Sequence, residues 1–185
     1  MNGRTDLSKY DNSLYKPGGS LLRRFLWFVL NASVFMCPLI PFSRLKIFLL
    51  RMFGAKVGRG VNIKPSVNIK YPWRLIVGNH TWIGENVWID NLADVSLGEN
   101  VCLSQGAMLF SGNHNYKKET FDLITGNITL EDGVWIGAKA IVCPGVKCGT
   151  HAVLTAGSVA VSGLDQYGVY QGNPAVKIRE REIVK

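Results

Sequence analysis

At 185 residues the chain has room for one domain and a small accessory segment. A hydrophobic content of 47% with 18% charged residues excludes a disordered chain, and the four cysteines (Cys37, Cys102, Cys143, Cys148) form neither a CxxC pair nor a disulfide-like framework. The net charge of +8 is regional, since residues 1–74 hold thirteen Lys and Arg against two acids (+11) and the remainder hold eight against eleven (−3); no nucleic-acid-reading motif accompanies it, so a nucleic-acid partner is not expected.

Residues 1–20 read as a flexible lead, polar throughout and ending in Pro17-Gly18-Gly19-Ser20, with Ser20 placed to cap a helix. The polar start, and the lack of a small-residue cleavage site after the apolar stretch, argue against a signal peptide and for a cytoplasmic protein with reduced thiols. Residues 21–54 form a basic apolar segment predicted as two helices. The first runs over 21 to about 37 and is stopped by Pro38 and Pro41; the second runs over 44–53, capped by Ser43 and closed by Gly54. Residues 25–43 carry no charge, yet a helix over 25–37 is only about 20 Å long, short of the roughly 30 Å hydrocarbon core. Beside a true span, which the prolines and the short helix disfavour, two placements stay open: packing against the domain that follows, or lying on a membrane surface with Arg23, Arg24, Arg44, Lys46 and Arg51 bracketing the apolar faces.

From residue 55 to 165 a period of six takes over. Aliphatic residues recur at Val57, Ile63, Ile69 and Leu75; at Val77, Ile83, Ile89 and Val95; at Leu97, Leu103 and Leu109; and at Leu130, Ile136, Val142, Cys148, Leu154 and Ala160. Gly often follows them, and the fifth slot is small or β-branched. Six fits neither a 3.6-residue helix nor an alternating strand. It fits a β-solenoid with a corner at each hexad, here of about five triangular coils (57–74, 77–94, 97–114, 130–147, 148–165). One excursion, residues 115–127, leaves the repeat intact on both sides and is expected to protrude as a loop. Residues 166–185 form a tail that turns at Gly172-Asn173-Pro174.

Of three histidines, His80 and His151 occupy the fourth hexad slot, expected at solvent-facing corners. His114 stands apart, at Ser111-Gly112-Asn113-His114 where the repeat breaks. A histidine's ordinary pKa of about 6.5 suits a general base near neutral pH.

The hexads, Ser111-Gly112-Asn113-His114, Val134-Trp135-Ile136-Gly137-Ala138, Pro144-Gly145-Val146 and Gly172-Asn173-Pro174-Ala175 together resemble the hexapeptide-repeat acyltransferases. Phe53-Gly54-Ala55-Lys56-Val57-Gly58, Tyr71-Pro72-Trp73 and the apolar N-terminal region tilt the likeness toward the exopolysaccharide acetyltransferases of the colanic-acid type. The resemblance implies an all-β, left-handed parallel β-helix, an exception to right-handed crossovers. It implies transfer of an acetyl group from acetyl-CoA, without a metal, to a saccharide acceptor on a lipid carrier at the inner face of the cytoplasmic membrane. A homotrimer with sites between subunits is also implied. His114 matches the family's catalytic histidine, and Trp135 and Ala138 match positions beside the thioester and pantetheine arm. Ala156, Gly157 and Ser158, one coil on, are small enough to let the arm lie on the backbone, and Lys177 and Arg179 would meet CoA phosphates. An asparagine that galactoside acetyltransferases place before the catalytic loop has no clear counterpart. One coil back from His114 in the same slot is Asp94, which would stack about 4.8 Å away and orient the imidazole or bind the sugar; Asp90 and Asn91 are further acceptor-side candidates.

Other readings compete. A zinc carbonic anhydrase of this fold needs a third histidine where the chain has Tyr116-Lys117-Lys118-Glu119. A binding scaffold would need neither His114 nor CoA. Among acceptors, a soluble sugar or antibiotic competes with a membrane-linked glycan, and the +11 N-terminal region favours the latter, with peripheral contact to an anionic membrane.

Overall fold

A computed structural model describes residues 3–184; the first two residues of the lead and the last of the tail lie outside it. The hexads build a left-handed parallel β-helix with three walls. Val57, Val77, Leu97, Leu130 and Cys148 align along the first wall. Ile63, Ile83, Leu103, Ile136 and Leu154 align along the second, and Ile69, Ile89, Leu109, Val142 and Ala160 along the third. Nearly all are fully buried, as are the fifth-slot residues such as Val67, Val87 and Ala107, so each hexad sends two side chains to the axis. Cys148 is among them, and burial pushes its thiol up to about 12.

The fourth slot explains the corners. Gly60, His80, Asn86, Asn100, Gly106, Gly133, Lys139, His151 and Gly157 all have positive φ, the left-handed region that Gly and Asn enter most readily. His80 and His151 are turn residues of this kind. Gly after the aliphatic has a separate cause: a Cβ on Gly78 would run into the Gly98 backbone of the next coil.

There are five complete coils and part of a sixth. Residues expected as a free tail supply the extra rung: Val169 and Tyr170 pair in parallel with Val153 and Leu154, and the chain then folds back as the antiparallel strand Ala175–Glu180. Tyr170 is buried and closes that end of the core.

The other end is closed by helices. The first, α1 (Leu21–Leu30), is capped by the Ser20 hydroxyl and continues as a π-helical turn, Asn31–Phe35; the second, α2 (Ser43–Met52), follows. Trp27, Phe35 and Leu50 are buried against the first coil. The coil's unpaired edge, a hazard in any open sheet, is met by helix side chains. Trp27 Nε1 donates to the Ile69 carbonyl at 2.8 Å, Lys46 Nζ to that of Lys64 at 2.8 Å, and Arg51 to those of Val57 and Gly58. Asn31 Oδ1 accepts from the Ile69 N–H.

Three expectations change here. Ser43 is not the cap of α2: it is the first helical residue, and its hydroxyl accepts from the Ile63 N–H at 2.9 Å. Arg23, Lys46 and Arg51 do not bracket an apolar face, because they turn inward to backbone carbonyls. The lead is laid along the solenoid, with the Tyr15 hydroxyl donating to Leu92 O, Trp73 Nε1 to Pro17 O and Lys9 paired with Glu119 at 2.7 Å. Packing on the solenoid therefore accounts for the inner face of the helices. The outer face, with Leu21, Phe25, Phe28, Leu39, Phe42 and Phe48, remains exposed. No described helix is long and apolar enough to cross a membrane.

Candidate active site

The arm that carries His114 begins earlier than the repeat suggests. Ser111 still belongs to the third wall's corner, its N–H and hydroxyl both donating to Asp90 O. Gly112–His114 then leaves the prism and pairs antiparallel with Leu123–Thr125, and Gly126 N–H closes the arm's base on Ser111 O at 2.9 Å. Between the strands, Asn115 N–H donates to Asp122 O and Lys118 pairs with Asp122 at 2.9 Å.

The imidazole of His114 is half-buried and held on two sides. Its Nδ1 lies 2.9 Å from Phe121 O. A carbonyl can only accept, so Nδ1 carries the proton and Nε2 keeps its lone pair. The Phe121 ring stacks on the imidazole at 4.5 Å and 8°, and Tyr10 of the lead approaches it at 5.8 Å. Phe121 has φ +52°, a strained conformation for an aromatic residue that aims its carbonyl at the histidine. Neither Phe121 nor Tyr10 is assigned a role by the sequence, because hexad periodicity carries no information outside the coils.

The expected column of Asp94 beneath His114 is absent. The excursion lifts His114 out of the stack, and Asn127 takes the place above Asp94: the Asp94 N–H donates to Asn127 Oδ1, and Ile128 N–H to Asp94 O. The exposed Asp94 carboxylate faces Arg74 at 3.5 Å. Asn91 is not a sugar ligand either. It is fully buried, with its amide clamped both ways to the Tyr71 backbone. Asp90 is paired with Lys70 at 3.1 Å.

Candidates for the acyl donor gather around the second wall. Trp135, Val153, Val169 and Arg179 share one outward column and line a concavity of about 720 Å³ with Thr155 and Arg181. Trp135 Nε1 donates to Ser104 Oγ at 2.9 Å. At the edge between the second and third walls, Gly157 N–H donates to Ala138 O at 2.9 Å, which stacks Ala138 beneath the Ala156–Gly157 turn. Both turn residues are exposed, and open space lies beyond Gly157; the small residues thus leave a track along this edge.

Two expected donor-site residues are otherwise engaged. Ser158 is buried, its hydroxyl bonded to Thr155 Oγ1 and accepting from Gly172 N–H at 3.0 Å. Its fifth-slot position already pointed to the axis. Lys177 lies 2.7 Å from Glu180 and 3.7 Å from Asp165; the Glu180 carboxylate raises its pKa. Arg179 forms no ion pair among the described residues and is the tail cation left for an anionic ligand. No three His, Cys, Asp or Glu side chains among the described residues come together as a metal site.

His114 stands at the edge between the third and first walls, while the Ala138–Gly157 track follows the edge between the second and third. One prism therefore holds the two features apart.

No protein-family model matches the chain. Over 176 residues, 95% of the chain, it is 35% identical to the putative colanic acid biosynthesis acetyltransferase WcaF of Escherichia coli K12, covering 97% of that protein. It is 27% identical to the Escherichia coli galactoside O-acetyltransferase over 135 residues, 71% of this chain and 66% of that one. Among solved structures, a hexapeptide-repeat acetyltransferase from Vibrio cholerae superposes with a TM-score of 0.78 at 21% identity, covering 88% of this chain and 92% of that one. A galactoside acetyltransferase in complex with coenzyme A gives 0.76 at 24%, covering 87% and 82%. At these identities the two structures match the fold.

Proposed function

Since the chain belongs to the hexapeptide-repeat acetyltransferases and is an acyl-CoA-dependent acetyltransferase, we propose that its acceptor is a sugar hydroxyl of an exopolysaccharide or capsule repeat unit and that His114 is the general base. The observation that carries this reading is the hydrogen bond between His114 Nδ1 and Phe121 O, which leaves Nε2 as the proton acceptor. In the reaction the acceptor O–H gives its proton to Nε2 while the oxygen attacks the thioester carbonyl of acetyl-CoA. Backbone N–H groups of a rigid coil suit the oxyanion that forms. Collapse releases the CoA thiolate, which takes the proton back from the imidazolium, so no covalent enzyme intermediate is required.

Acetyl-CoA lies along the Ala138–Gly157 track with its adenosine 3′-phosphate end toward Arg179, and a neighbouring copy of the chain supplies the histidine. The separation of the two features on one prism supports a shared site and hence a homotrimer. An assay of thiol release from acetyl-CoA with lipid-linked oligosaccharides as acceptors tests the reaction. Release no faster than hydrolysis in their absence counts against it.

Arg179→Gln is expected to weaken CoA about ten- to a hundredfold, the worth of a charge-assisted contact, and dephospho-CoA far less. Lys177→Gln is expected to do little, because Glu180 already holds the ammonium. Equal losses for CoA and dephospho-CoA would rule out the 3′-phosphate as the partner of Arg179.

The acceptor's lipid carrier places the enzyme at the membrane as a peripheral protein. The exposed apolar face of α1 and α2 supports this, as do the exposed cations Arg44, Lys56, Arg59 and Lys64 on the same end of the prism. Such cations each add about 1 kcal/mol near an anionic surface. The chain is expected to sediment with phosphatidylglycerol vesicles at low salt, less at high salt, and to stay in solution as Phe42→Glu/Phe48→Glu. Indifference to the vesicles at every salt concentration would sink the membrane assignment.

A further inference from the structure

We propose that the groove between α1 and the third wall is a saccharide subsite, which holds a non-reacting sugar residue of an oligosaccharide acceptor through Arg24, Trp88 and Asp90. The inference rests on the sugar-acceptor reading above and deepens it.

The groove has a volume of about 560 Å³ and is walled by Arg24 and Phe25 from α1 and by Lys70, Tyr71, Trp88 and Asp90 from the first two coils. Among the described residues, only two buried side-chain polar atoms lack a hydrogen-bond partner, Arg24 Nε and Asp90 Oδ1. Both residues line this groove. Asp90 Oδ1 sits 3.1 Å from Lys70 Nζ, an ion-pair distance, without accepting a hydrogen bond from it. Buried polar atoms are ordinarily satisfied, so a donor and an acceptor both left open at one groove call for a ligand that matches both.

The chemistry of the pair narrows the class. An ionised phosphate or carboxylate would suit Arg24 but offers no donor to Asp90 Oδ1. An apolar ligand would satisfy neither atom. A sugar hydroxyl both donates and accepts, and the C–H face of a pyranose fits an aromatic ring. Trp88 is 39% exposed and is steadied by Phe110, which meets it edge-on at 5.2 Å and 90°. Tyr71 is likewise backed by Trp73, stacked at 5.1 Å.

Position links the groove to the proposed base. The carbonyl of Asp90 holds the N–H and hydroxyl of Ser111, where the arm bearing His114 departs. A sugar bound beside Asp90 thus lies at the foot of that arm, and a linked residue of the same oligosaccharide extends toward His114. Because α1 forms one wall, a solenoid lacking these helices would lack the subsite.

The test is ligand-observed saturation-transfer NMR on the full chain, with oligosaccharides cut from alkali-deacetylated colanic acid as the probe. Wild type and His114→Ala should both transfer saturation to the sugar ring protons. Arg24→Gln, Asp90→Asn and Trp88→Ala should each weaken binding about tenfold or more, as for a lost hydrogen bond to a charged group, with CoA affinity unchanged. Asp90→Asn keeps side-chain size and Arg24→Gln keeps the apolar stem, so an unfolded Trp88→Ala protein would not obscure the result. Wild-type affinity in both Arg24→Gln and Asp90→Asn overturns the subsite, as does the absence of transfer to any saccharide. Binding that depends on these residues, but without thiol release in the wild type, supports the subsite and counts against the acceptor reading alone.

Discussion

His114→Ala is expected to lower acetyl transfer about 10²–10⁴-fold, the usual worth of a positioned general base, while leaving CoA affinity and the thermal midpoint at wild-type values. The fold does not depend on the imidazole: it is half-buried on an arm outside the solenoid, bonded only to Phe121 O. The coils beneath it are closed by Ser111 and Gly126. Asp94→Asn is the paired control. The Asp94 carboxylate faces Arg74 and does not touch the ring, so its loss should change turnover little. Wild-type turnover in His114→Ala, measured by thiol release with the acceptor present, would refute the base assignment. A large loss in Asp94→Asn would restore the aspartate as an orienting group and displace Phe121 O from that role.

Trp27→Ala is expected to destabilise the protein by about 3–5 kcal/mol, the range for deleting a buried aromatic. For a chain of this size that corresponds to roughly 6–20 °C in thermal midpoint. Trp27 is 2% exposed, packs on Phe35 at 5.0 Å and Phe53 at 5.3 Å, and donates to the edge carbonyl of Ile69. Its removal opens a cavity over the first coil and leaves that carbonyl unpaired, so the variant should also aggregate on heating through the uncovered edge. Thermal unfolding followed by circular dichroism measures the shift. A midpoint within a degree of wild type would mean that α1 does not cap the solenoid. The same capping role means that removing residues 1–53 would uncover hydrophobic core, so point changes on the outer face away from the groove, such as Phe48→Glu, are the cleaner probe of membrane contact.

The aliphatic period of six was sufficient by itself to establish the solenoid, its coil starts and its buried column, because a side chain facing the axis of a triangular coil has an aliphatic neighbour directly above and below it at every turn. The same regularity exposed the one excursion and singled out His114 beside it. The fourth-slot Gly, Asn and His residues were a corner signal of the same strictness, legible once each corner is seen to need positive φ. The inward Ser158 was legible too, from its own slot.

Tertiary structure decided what periodicity does not encode. The arm leaves the wall at Gly112, and the resulting offset puts Asn127 above Asp94 and gives His114 a carbonyl partner seven residues away in sequence. The basic residues of the helices were countable in sequence, but only their packing distinguishes Arg23, Lys46 and Arg51, which reach backbone carbonyls, from Arg24, which reaches none. The tail's Lys177 and Arg179 look alike as sequence, and the antiparallel turn brings carboxylates to one of them only. Composition and spacing determine which surfaces must be buried, since burial is a property of each residue and its repeat. Pairing between side chains and backbone atoms far apart in the chain depends on where loops and termini are laid, and short-range pattern carries no record of that.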